Sequence, residues 1–157
     1  MFTGENGFAN ASSEMNGYPA SHGFKDGDKP WRSSWYPTMP QLIWFQFNKF
    51  YLPAKITFKR RQDGDTKAKH TTPIKFEFIG ANATGSENCA VSSQWITICD
   101  ETYGEDVSLD EPRECQVDEA QAMMSENQFR CLGLKISEVS GEIKGAAVQG
   151  IKIWIWE

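Results

Sequence analysis

The sequence has little histidine, the side chain most used for acid–base catalysis. It has two histidines, His22 and His70, and neither stands in a Ser/Asp or Cys/His pattern that would mark a nucleophile and its base. No stretch of about 18 apolar residues occurs, so no membrane-spanning helix is expected. The start, "MFTGENGFANASSEMNG", lacks the basic and apolar regions of a signal peptide. Basic residues are the minority: 16 Lys and Arg against 21 Asp and Glu leave a net charge of −5. That balance argues against a general nucleic-acid binder, which neutralises phosphates with a basic face. A P-loop is excluded too. Gly23 and Gly27 have its first spacing, but Asp28 stands where the lysine belongs and no helix pattern follows. Helical runs are almost missing: only "DEAQAMMSEN" (118–127) has the propensity, enough for a turn or two.

What the chain has in quantity is aromatic and alternating sequence. Six Trp, ten Phe and four Tyr supply large units for a core and for a binding surface. The length of 157 residues suits one domain over 1–157, with residues 1–10 a loosely held N-terminal segment. "LIWFQF" (42–47) reads as a strand buried on both faces. "AKITFKR" (54–60) and "IKFEFIG" (74–80) alternate cleanly, with Ile56 and Phe58, then Ile74, Phe76 and Phe78, on their inner faces. "QWITICD" (94–100) and "RECQV" (113–117) are shorter strands. "FRCLGLKI" (129–136) sets Leu132, Leu134 and Ile136 on one face, and "VQGIKIWIW" (148–156) opposes Ile151, Ile153 and Ile155 to Lys152, Trp154 and Trp156. Short strands between turn-rich connections predict an all-β sandwich or barrel.

Cys89, Cys99, Cys115 and Cys131 lack zinc-site spacing and are read either as buried free thiols or as two disulfides, for which three pairings exist. Disulfides point to an extracellular or secreted protein, free thiols to a cytosolic one. Two sequons, at Asn10 and Asn82, lean toward the extracellular side. The acidic run "CDETYGEDVSLDEPRE" (99–114) lies in one connection with no facing element, so it reads as a solvated surface and not as a glycosidase acid/base pair.

Residues 1–40 form a long irregular region rich in aromatics, including Tyr18, Trp31, Trp35 and Tyr36, which argues against disorder. Within it, "GFKDGDKPWRSSW" (23–35) combines turn residues with two tryptophans. Here the sequence resembles a known family. Ala11-Ser12-Ser13, Ala20, Phe24, Asp26-Gly27 and Trp31-Arg32-Ser33 look like the start of a discoidin domain, the coagulation factor 5/8 C-terminal type. "PQLIWFQFNKFYLPAKITFKRRQDG", "IKFEFIGAN", "SSQWITI", "FRCLGLKI" and "AAVQGIKIWIWE" continue the resemblance over residues 8–157, and the cysteine positions look most like its invertebrate extracellular members.

The resemblance implies an antiparallel jelly-roll β-sandwich of the galactose-binding type with little helix. It also implies a non-catalytic, extracellular module that meets a glycan or another cell-surface or matrix ligand through end loops. The alternative is a phospholipid-binding or protein–protein adhesion domain, and an oligomer is compatible with either; nucleic acid is not an expected partner. By position the loops are 14–20 and 59–72, the second carrying a basic cluster. Tyr18 and Trp35 are then the stacking residues, Tyr36 reaches a hydroxyl, and Arg60, Arg61 and His70 are the polar contacts. Arg61 matches the arginine with which sugar-binding relatives grip hydroxyls. Loop 14–20 offers only Met15 and Tyr18 as apolar tips, and loop 59–72 has no large apolar residue, which disfavours membrane contact.

Two readings stand for Asp26-Gly27-Asp28: a shaping turn, and a structural Ca²⁺ bound by Asp26 and Asp28 as in carbohydrate-binding relatives. Nothing in the sequence requires a cofactor, and the match to those relatives is imperfect. Trp31 stands where they place a ligating threonine, and Gln149 and Lys152 stand where an acid is expected. Many relatives join their ends with a disulfide. This chain has no cysteine near either end, so its four are expected to act locally, as Cys89–Cys99 and Cys115–Cys131.

Overall fold

A computed structural model describes residues 7–27, 29–61, 68–82, 87–104, 111–122, 128–141 and 145–156. The strands are β1 (Gly7–Ala11), β2 (Trp31–Arg32), β3 (Gln41–Lys59), β4 (Pro73–Ala81), β5 (Ile96–Thr102), β6 (Arg113–Gln116), β7 (Phe129–Val139) and β8 (Ala147–Trp156). Among the described residues three single-turn helices intervene: α1 (Ala20–Gly23), α2 (Ala68–Thr71) and α3 (Glu119–Ala122). The segment expected to be loosely held thus contributes β1, whose five residues pair with Ile43–Phe47. Residues 1–6 lie outside the described residues.

The two strands expected at 42–47 and 54–60 are one long strand that serves both layers. The first half of β3 pairs with β1 and β7, and β7 continues to β4 and β5. Its register breaks between Gln46 and Tyr51, and the second half pairs with β6 and β8, with β2 beyond. All pairings are antiparallel. The order is therefore β1-β3-β7-β4-β5 in the first sheet and β6-β3-β8-β2 in the second, the jelly-roll sandwich that the resemblance implied.

Alternation fills the space between the sheets. Ile43, Phe45, Phe47, Phe76, Phe78, Leu132, Leu134 and Ile136 from the first sheet meet Ile56, Phe58, Val148, Ile151 and Ile153 from the second in one buried cluster. The outer face of the first sheet is covered as well. Leu42 and Trp44 pack there with Ile79, Ala81, Cys89 and Cys131, and Trp95 leans on Trp44 with ring centroids 5.3 Å apart. Gln46, also on that face, accepts from the Cys89 N–H at 2.9 Å through its side-chain oxygen. This second cover is why "LIWFQF" shows no polar alternation.

The disulfide pairing differs from the expected one. The bonds are Cys89–Cys131 and Cys99–Cys115. The reason lies in which face each cysteine occupies. Cys131 is opposite Gln46 and Ala81 and faces outward with Cys89. Cys99 is opposite Phe78 and Cys115 opposite Ile56, so both face the inner core. The expected pairs would each have had to cross a sheet. As formed, one bond clamps the outer cover to β7, and the other ties edge strand β5 of one sheet to edge strand β6 of the other.

Candidate functional site

Tyr18, Trp35 and Tyr36 come together where β2 ends. Their focus is Arg32, which the sequence marked only as part of a motif. Arg32 is 7% exposed, and its guanidinium carbon lies 5.1 Å from the Tyr18 ring centre and 5.0 Å from that of Trp35. The cation is desolvated between two π faces, where such contacts reach about 2 kcal/mol. Trp35 carries Tyr36 beside it, centroids 6.4 Å apart and tilted by 37°. Both are open to solvent, Trp35 at 45% and Tyr36 at 73%. Tyr36 also has φ of 48°, a left-handed conformation rare for a bulky residue. That geometry holds the ring outward at a cost of about 1–3 kcal/mol.

Local sequence explains why these rings stay in place. Tyr18 ends a tight turn from Met15 in which Gly17 takes φ of 86°, and the turn is tied to β2 by hydrogen bonds between Met15 N–H and Arg32 O and between Arg32 N–H and Tyr18 O. Under Trp35 lies a polar frame built from the Ala-Ser-Ser stretch. The hydroxyls of Ser12 and Ser13 donate to the Gln41 side-chain oxygen at 2.8 and 2.6 Å, and the Ser34 N–H donates to Ser13 Oγ at 3.1 Å. The indole N–H of Trp31, fully buried, donates to Ser13 O. Trp31 is therefore core, and Trp35, four residues on, is surface.

The cationic residues are distributed differently from the expected basic surface patch. Arg61 is 2% exposed, a buried side chain at the end of β3. Arg60 is partly buried and close enough to Arg113 to repel it. Burial pushes the Arg113 guanidinium down from its ordinary value, Tyr103 opposes it electrostatically, and Arg60 adds a smaller push down. The guanidinium lies 4.5 Å over the Tyr103 ring. His70 lies on α2 with its ring against Gly141, where a methyl group would collide with the imidazole. The β7–β8 connection joins this side to the aromatic one: Ser140 N–H bonds to Thr72 O, while Ser33 and Ala146 exchange two bonds of 2.9 Å. Residues 62–67, and the side chains of Lys67 and Lys69, lie outside the described residues.

At the Asp26 turn, Gln149 donates its amide to Gly27 O at 2.6 Å and Gly150 N–H donates to Lys25 O at 3.1 Å. The Lys152 ammonium lies 3.6 Å from the Asp26 carboxylate. The Gln149 amide, the Gly150 N–H and the Lys152 ammonium thus meet Gly27 O, Lys25 O and the Asp26 carboxylate, oxygens of the kind that a Ca²⁺ ion would seek. Asp28 lies outside the described residues. No group of three or more His, Cys, Asp or Glu that could hold a metal ion occurs among the described residues.

No family model matches the sequence, and no curated protein matches it. Solved structures do match. A family 32 carbohydrate-binding module from a family 31 glycoside hydrolase of Clostridium perfringens superposes with a TM-score of 0.74 at 13% identity, over 99% of this chain and 94% of its own. Another module of that family from the same organism, in complex with GalNAc-β-1,3-galactose, gives 0.71 at 16% identity over 97% of each chain. A chitosan-binding module from a Paenibacillus chitosanase/glucanase gives 0.70 at 15% identity over 98% of each. The chain has the galactose-binding-like β-sandwich fold of family 32 carbohydrate-binding modules.

Proposed function

We propose that this chain is a non-catalytic glycan-binding module that meets its ligand at the Tyr18–Trp35–Tyr36 end of the sandwich. One observation carries the reading: two aromatic rings stand open to solvent on a hydrogen-bonded frame, beside a desolvated arginine. Rigid, exposed aromatic faces suit the apolar face of a pyranose, and holding them fixed in advance lowers the entropy lost on binding. The structural neighbours named for galactose-containing or chitosan ligands share this scaffold, which supports the ligand class by analogy of fold. Two disulfides support an extracellular setting. Among the described residues, no helix is long and apolar enough to cross a membrane. Acid/base hydrolysis has little to draw on here, because the Glu14 carboxylate accepts from Ala20 N–H at 2.6 Å and Asp26 faces Lys152.

We further propose that the module works without metal. Gln149 and Lys152 supply at the Asp26 turn the donors and the positive charge that a cation would otherwise provide. A glycan array with and without EDTA tests both statements. The expected result is binding to a set of related glycans, with the same pattern and the same melting temperature in EDTA. A blank array, with pelleting on anionic vesicles or a stable dimer instead, would move the function to lipid or protein adhesion. Loss of binding or of melting temperature in EDTA would restore the calcium site.

A further inference from the structure

The outer face of the second sheet carries a feature that the end-loop site leaves unused. On a solvated antiparallel face, polar side chains are expected throughout. Here a tryptophan, Trp154, stands among them, partly buried. It borders a groove of about 280 Å³ lined by Thr57, Lys59, Glu114, Gly150, Lys152 and Trp154. Register explains the grouping. Thr57 pairs with Glu114 on one side and Lys152 on the other, so the three side chains form one row across β6, β3 and β8. Lys55 pairs with Trp154, and its ammonium lies 4.4 Å from the ring centre.

We infer that this groove is a second binding site, for a saccharide unit bearing a carboxylate. The volume is close to the lower end for small-ligand sites, which suits one sugar ring. Trp154 offers an aromatic edge for that ring, and Thr57 a hydroxyl at the floor. Charge decides between neutral and anionic ligands. Lys55, Lys59 and Lys152 surround the groove, against Glu114 within it and Asp26 at its edge, a local positive excess in a chain of net charge −5. Lys152 is turned toward Asp26, and Lys55 lies over Trp154. Lys59 runs past Gly150 beside Asp26, whose carboxylate is paired with Lys152, and among the three lysines its ammonium is the donor offered to an incoming anion. Glu114, across the sheet row, can accept from a sugar hydroxyl.

The test is an NMR titration of the ¹⁵N-labelled chain with sodium D-glucuronate, D-glucose and sodium acetate in parallel. Glucuronate is expected to move the Trp154 indole N–H and the Gly150 amide with millimolar affinity. Glucose and acetate should each bind there at least fivefold more weakly, because each offers only half of the recognition. Lys59→Ala should weaken glucuronate at least fivefold while leaving the spectrum folded. Silence at Trp154, equal response to glucose or acetate, or an unchanged Lys59→Ala affinity would each overturn the proposal. The Trp35 indole reports separately on the end-loop site, so failure of one site is distinguishable from failure of the other.

Discussion

Replacing Cys89 and Cys131 together by alanine is expected to lower the unfolding free energy by about 4 kcal/mol, and the Cys99/Cys115 double replacement by about 3 kcal/mol. The difference follows from the chain that each bond closes, with separations of 42 and 16 residues. A longer closed loop removes more freedom from the unfolded chain. The two losses also differ in kind. Without Cys89–Cys131 the cover over Leu42 and Trp44 is no longer clamped, so Trp44 and Trp95 emission should shift to the red before global unfolding. Without Cys99–Cys115 the sheets lose the tie between β5 and β6, and the outer cover should stay intact. Urea denaturation of both variants, with peptide mapping of the unreduced wild type, measures this. Mapping that returned Cys89–Cys99, or a larger loss for the Cys99/Cys115 variant, would contradict the arrangement of faces described above.

Trp35→Ala is expected to weaken glycan binding by roughly thirtyfold, about 2 kcal/mol, as central aromatic residues of binding sites commonly do. Tyr36→Ala should cost about tenfold, since its ring stands further out, 73% exposed beside Trp35. Tyr36→Ala should cost no more than about 0.5 kcal/mol of stability, because exposed side chains away from the core rarely do, whereas Trp35→Ala also strips one π face from Arg32 and should cost about 1–2 kcal/mol. That separation matters. Arg32 and Arg61 are buried, and truncating either leaves a gap in the frame, so weaker binding by those variants would mix folding with recognition. Calorimetric titration with the strongest glycan from the array, beside thermal melts of each variant, checks the expectation. Unchanged affinity in both aromatic variants would remove this end of the sandwich from the binding site.

How much of this was legible in the sequence depends on whether the feature is periodic. The inward residues of β4 and β7, and those of β3 and β8 between their register breaks, follow a period of two, and the alternation in "AKITFKR", "IKFEFIG" and "FRCLGLKI" reads their faces. The same alternation held the disulfide answer. With Leu132 and Leu134 inward, Cys131 must face outward, whereas Phe78 and Ile56 draw Cys99 and Cys115 inside. Proximity along the chain pointed to Cys99 as the partner of Cys89, and the faces overrule it. Tyr18, Trp35 and Tyr36, expected from the resemblance as ligand contacts, lie together in the folded chain, the first two on Arg32 and Tyr36 beside Trp35. Arg32 was not expected there, because its role depends on two rings that lie 14 residues before it and 3 after it and meet only in the folded chain. Arg61 looked like a surface cation because its neighbours in "KRRQDGDTKAK" are polar. Its burial comes from tertiary packing at the end of β3, which local polarity does not report.

A crystal structure of the chain bound to the strongest glycan from the array tests the central claim most directly. The account predicts a sugar ring against Trp35 and Tyr36, with polar contacts from the adjoining loops and the frame under Trp35 unmoved. A ligand seated elsewhere on the molecule, with the faces of Trp35 and Tyr36 left bare, would contradict it.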